Sequence, residues 1–227
     1  MAIKTRITIK DLPKTNITGV TGLTDGTFVG DGRVDILIEA MGTKEIDVLG
    51  LGVKLDDLTF AQGKEAKIVT HKDLPDVVLT MSDIERIIGT DKALAFDVSG
   101  NAGEVYAMLA AAFGKDDVTS NLMGKFLSMK DTGISDADLA KKILASTEYK
   151  EDALGTSNET FVKQMYKNIV GAAPSFADLM YFTVNLDNGT FTQSQLLDVA
   201  SNLETFRTTI DLVGYVNTGI EYIPTDI

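Results

Sequence analysis

The sequence predicts an α+β protein: a β-rich N-terminal domain of sandwich or roll-like form, then an all-α helical bundle made of two similar units. Three observations carry this. Apolar residues tend to recur at every second position or in short runs up to about residue 100, the period then changes to three and four, and the second stretch resembles itself at an offset of 57 residues. With 227 residues, 44% of them hydrophobic, the chain has apolar material for two small cores, since a domain takes roughly 100–200 residues. The expected division is 1–99 and 100–227, with helical units at about 103–151 and 160–207 and then a C-terminal tail.

The N-terminal stretch "AIKTRITIK" sets Ile3, Thr5, Ile7 and Ile9 against Lys4, Arg6, Thr8 and Lys10, which is a two-faced strand ahead of Pro13. The runs "RVDILIEA", "KEIDVLGLGVKLDDLTF", "AKIVT", "DVVLTM" and "KALAFDV" continue the strand pattern, with glycine between them at turns or bulges. One short helix is expected in "SDIERIIG", where Ser82 and Glu85 have capping-box spacing.

The stretch "ALAFDVSGNAGEVYAMLAAAFG", Ala93 to Gly114, reads as a strand passing through a glycine turn into a helix. A dinucleotide loop needs Gly-x-Gly-x-x-Gly and a P-loop needs Gly-Lys-Ser/Thr. Only Gly100 and Gly103 are present, and Glu104 at the helix start repels phosphate, so the stretch is read as a joint between the halves.

Beyond it, Val118, Leu122, Phe126 and Met129 mark one helical face, with Met123 and Leu127 beside them as core residues. Further helix starts are expected at Ser135, Ser175 and Thr192, each followed three residues on by Asp138, Asp178 or Gln195. At the offset of 57, Val105 answers to Val162, Met108 to Met165, Gly114 to Gly171, Leu122 to Leu179, Met123 to Met180, Leu139 to Leu196, Ser135 to Thr192 and Tyr149 to Phe206.

The order of helix, glycine, polar turn, helix "LMGKFLSMKDTG" and helix "ISDADLAKKILASTEYKED" resembles the bacterial repeats known as domain of unknown function 4214. "LASTEYKE" and "NLETFRT" supply the family's closing motif twice, and "MSDIERIIGTDKALAFDVSGNAGEVYAMLAAAFG" is similar to the lead-in of large exported proteins that carry such repeats. The resemblance covers about residues 81–227. It implies export by the bacterial type I route to the cell surface, without an N-terminal signal peptide and with an uncleaved C-terminal signal. In keeping with it, Arg207 is the only basic residue from Asn168 onward and the chain closes on "EYIPTDI". The calcium-binding Gly-Gly-x-Gly-x-Asp nonapeptides that often accompany these repeats do not occur in the sequence.

Composition narrows the function. Lys and Arg number 21 against 33 Asp and Glu, a net charge of −12, which repels nucleic acid and anionic membrane surfaces. No apolar stretch approaches the roughly 20 residues that cross a bilayer, so no membrane insertion is expected. Cysteine is absent, which excludes disulfides, thiolate metal sites and a Cys nucleophile. His71 is the sole histidine, and in "IVTHKDLP" it reads as an exposed strand-end residue without a triad around it.

No catalytic or cofactor-binding residues emerge, and the protein is not expected to be an enzyme or to require a cofactor. Calcium is the one metal the sequence admits. Asp25, Asp31 and Asp35 lie in the glycine-rich "TDGTFVGDGRVD", although Arg33 takes the place of an EF-hand ligand and a solvated turn is the simpler reading.

The expectation is a structural, self-assembling extracellular protein of the bacterial surface, a filament or surface-layer subunit. It would form a homo-oligomer or polymer, with pairing of the N-terminal strand as one means of joining copies. The alternative is a cell-adhesion or glycan-binding module with a surface polysaccharide as partner. Against it, residues 1–100 offer only Phe28, Phe60 and Phe96 as aromatic platforms.

Overall fold

A computed structural model describes residues 16–18, 36–41, 46, 48–51, 53–62, 67–82, 84–153 and 155–225. The chain forms two compact units. Gly214–Glu221 joins the residues up to Asp97, and the segment from Tyr222 joins Val98–Val213.

The N-terminal unit contains two sheets. One runs β1 (Asn16–Thr18), β3 (Val48–Gly50), β7 (Arg86–Ile88), β8 (Ala93–Ala95) and β9 (Ile220–Tyr222). The other runs β2 (Ile36–Met41), β6 (Leu74–Ser82), β5 (Lys67–His71) and β4 (Leu58–Gln62). Both are mixed: β3 lies parallel to β7 and β2 parallel to β6, while the other registered pairs, β1–β3, β7–β8, β4–β5 and β5–β6, are antiparallel. Leu49, Ile87 and Leu94 from the first sheet share a buried cluster with Val69 and Met81 from the second, so the apolar faces form one core as in a sandwich. This is the α+β arrangement that the change of period predicts, with strands in two sheets followed by helices.

The expected helix in "SDIERIIG" does not form. Ser82 ends β6, and Arg86–Ile88 is strand β7, held between β3 and β8 with Arg86 opposite Ala95. Phe96 donates its backbone N–H to the Glu85 carbonyl at 2.8 Å, and Ile84 and Ile87 are buried. Ladder pairing and burial on both sides outweigh the local capping signal.

The C-terminal segment returns to the strand unit through α9 (Tyr215–Thr218) and β9. The sequence reading attached this segment to the helical half as a tail. Lys92, just before β8, pairs with Glu221 of β9 at 2.7 Å and with Asp56 at 2.8 Å. Those two bonds hold its ammonium well above the usual lysine range.

The helical unit holds α1 (Asn101–Phe113), α2 (Ser120–Asp131), α3 (Asp136–Ala145) and α4 (Thr147–Asp152). A second set follows: α5 (Asn158–Val170), α6 (Phe176–Asp187), α7 (Gln193–Ser201) and α8 (Glu204–Thr209). Val118 lies ahead of α2, outside the helix whose face it was expected to join. Ser135, Ser175 and Thr192 cap α3, α6 and α7, each accepting the backbone N–H three residues on. Thr192 and Gln195 complete a full capping box.

The two sets correspond element by element. The first, third and fourth helices start 57 residues apart, and α2 and α6 start 56 apart. One residue is dropped after Gly171 and regained before Thr192, so the expected pairs Leu122–Leu179 and Met123–Met180 shift by one within the second helix. The same polar clasp recurs. Asn101 Nδ2 donates to Asp131 at 2.8 Å, and Asn158 Nδ2 donates to Asp187 at 2.7 Å, each tying a first helix to the end of a second.

Between the sets, α7 packs on both α1 and α3, and α5 packs on α1. Asn168 of α5 donates to the carbonyls of Ala111 and Ala112, both at 3.0 Å, which satisfies acceptors left open at the end of α1.

Candidate functional site

The two helical halves differ in how they close. In the first, α2 packs on α3, and Lys130 at the end of α2 pairs with Asp136 of α3 and with Glu104 of α1 at 2.8 Å. The counterpart positions in the second half are Leu186, Gln193 and Phe161, so no such ion pair can form there. No comparable packing joins α6 to α7.

An apolar groove of about 400 Å3 results, lined by Val162, Met165, Ile169, Phe182, Val199 and Leu203 among others. It matches in place the interior of the first half, where Val105, Met108, Ala112 and Phe126 are buried. At its rim Tyr166 Oη donates to Asp178 Oδ2 at 3.0 Å, and Ser175 Oγ donates to the same oxygen at 2.6 Å. The bonds from Ser175 and Tyr166 hold the Asp178 carboxyl below the usual carboxylate range, and the Tyr166 phenol is raised in turn, chiefly by its bond to Asp178.

Apolar side chains around the groove stand open to solvent. Phe113 is 5% exposed, whereas Val170 in the equivalent place is 58% exposed. Phe176 reaches 80% and Tyr181 62%, and Leu186 is the one fully buried residue of α6. At two further positions lining the groove the second half is more apolar than the first, with Val199 for Lys142 and Leu203 for Ser146. A helix apolar on nearly all sides belongs in an interior. Such a groove accepts apolar ligands or packing partners and supplies a polar anchor only at Tyr166 and Asp178.

Of the residues singled out in the sequence, Asp25, Asp31 and Asp35 lie outside the described residues. Among the described residues no group of three His, Asp or Glu side chains is placed to hold a metal ion. His71 ends β5, half-exposed, with its Nδ1 accepting the Asp73 N–H at 3.1 Å. The turn before α1 is packed shut: a Cβ on Gly103 would stand 1.8 Å from the Val98 carbonyl oxygen. That close approach, not ligand binding, explains the glycine. The groove itself is not marked by any motif in the sequence, where its traces are the replacement of Lys142 and Ser146 by Val199 and Leu203 and the loss of the Lys130, Asp136 and Glu104 charges at Leu186, Gln193 and Phe161.

Residues 140–206 match the family model described as "Domain of unknown function (DUF4214)". The match runs from α3 to α8 and supports that domain family for the segment. No curated protein and no solved structure matches the chain significantly.

Proposed function

We propose that this is a structural, self-associating protein of the bacterial surface, a filament or surface-layer subunit exported by the type I route. The observation that carries the reading is the open apolar face of α5, α6 and α7, which a protein working as a lone monomer has no reason to keep. The family match at 140–206 and the acidic stretch after Asn168, whose one basic residue is Arg207, support it. We also read Asn101–Asp152 as a second unit of the same domain kind, on the matching helices and the repeated asparagine clasp. The stretch Ala2–Lys10, expected above to form a strand that joins copies, lies outside the described residues.

Negative-stain electron microscopy of the purified chain, with and without calcium, tests the proposal. Ordered filaments or sheets are expected, and a persistent monomer under both conditions overturns it. A glycan-binding role draws on one feature, the exposed rings of Phe176 and Tyr181. Micromolar binding on a glycan array, lost in Tyr181→Ala, would place it first.

A further inference from the structure

We infer that helix α6 pairs, antiparallel, with α6 of a second copy of this chain about a two-fold axis near Met180. The inference rests on the self-association proposed above and names one contact within it, on the flank of α6 away from the groove; a two-fold contact closes a pair, so a filament or layer would join such pairs through a second surface. In the first half, Ser120, Gly124 and Ser128 form a stripe of small residues at four-residue spacing along α2, and the C-terminal segment lies on it. Ile223 donates its N–H to the Ser120 carbonyl at 2.9 Å, and its own carbonyl oxygen would stand 1.7 Å from a Cβ at Gly124. That stripe is an interface already made.

The same stripe on α6 reads Phe176, Met180 and Val184. All three are exposed. Large side chains there bar an extended segment from lying on the backbone as Ile223 does on Gly124. What fits is a partner that interdigitates side chains, which is how helices pack ridge into groove.

The chemistry selects the partner. Asp178 and Asp187 are the only charged residues of α6, and Asp178 faces the groove on the other flank, bonded to Tyr166 and Ser175. The ridge thus offers no charge by which an acidic or basic protein would be recognised, and it spares the strongly acidic chain the repulsion of meeting itself elsewhere. Antiparallel pairing centred on Met180 sets Phe176 against the partner's Val184, large against small. It carries Asp187 past the start of the partner helix and opposes the two helix dipoles. The ridge is complementary to itself, as a two-fold contact requires.

Because the chain contains no cysteine, Met180→Cys introduces a unique thiol. Mild oxidation of this variant should give a disulfide-linked dimer on non-reducing gels, at least about tenfold more than Lys163→Cys, whose site is exposed on α5. Met180→Glu, at a surface position where folding is retained, should weaken dimerisation by about tenfold or more in sedimentation. If copies associate but neither the cross-link nor the Met180→Glu loss appears, this pairing is wrong while self-association stands. If the unmodified chain stays monomeric at every concentration and calcium level tested, both fail. Binding of zwitterionic phosphatidylcholine vesicles through the ridge without dimerisation would also overturn the pairing.

Discussion

The carbonyl oxygen of Ile223 rests so close above the α-carbon of Gly124 that a methyl group at residue 124 would overlap it, at 1.7 Å. Gly124→Ala should therefore destabilise the helical unit by about 2–3 kcal/mol, or release the C-terminal segment from α2. Thermal unfolding combined with limited proteolysis near residue 223 separates the two outcomes. No change in either would show that the close approach is relieved at no cost.

The paired clasps offer an internal comparison. Asn101→Ala should cost about 1 kcal/mol in urea unfolding through loss of the bond to Asp131. Asn158→Ala should cost more, because Asn158 also accepts from Gln193 Nε2 at 2.8 Å. Equal costs would mean that the Gln193 bond adds nothing.

Tyr149 is buried, its ring meeting Phe113 edge to face at 5.7 Å, and burial pushes its phenol up to about 12. The folded value lies above the unfolded one near 10. Its contribution to stability is accordingly complete below about pH 10 and is lost as pH rises towards 12. Tyr149→Phe should flatten the alkaline limb of stability against pH, and spectrophotometric titration should show one late-ionising tyrosine fewer.

Lys92 ties β9 to the sheet through Glu221. In Lys92→Met, hydrogen exchange at the amides of Ile220–Tyr222 should quicken by about fivefold, while exchange in α1 stays unchanged. Equal protection in both proteins would assign the docking of β9 to its backbone ladder alone.

What could be read from the sequence follows from which forces are local. Hydroxyl caps act within one turn, so Ser135, Ser175 and Thr192 marked their helices correctly, and the order of caps and turn glycines at one offset anticipated the matching order of the two helix sets. "SDIERIIG" carried the same local signal, yet its partners β3 and β8 come from distant positions and decide its conformation. The groove was hidden for a related reason. Apolar residues at α6 and α7 announce burial without saying what buries them, and whether α6 closes on its neighbour turns on the Lys130, Asp136 and Glu104 contacts that only the first half has.

The placement of β9 bears on how the chain matures. β8 ends at Ala95 and its sheet neighbour β9 begins at Ile220, with every helix from α1 to α8 between them. During synthesis the N-terminal sheet must wait, one edge open, until almost the whole helical unit has left the ribosome. A nascent chain stalled before Gly214 would carry an uncapped strand edge, and a chaperone or a delay in compaction would have to protect it.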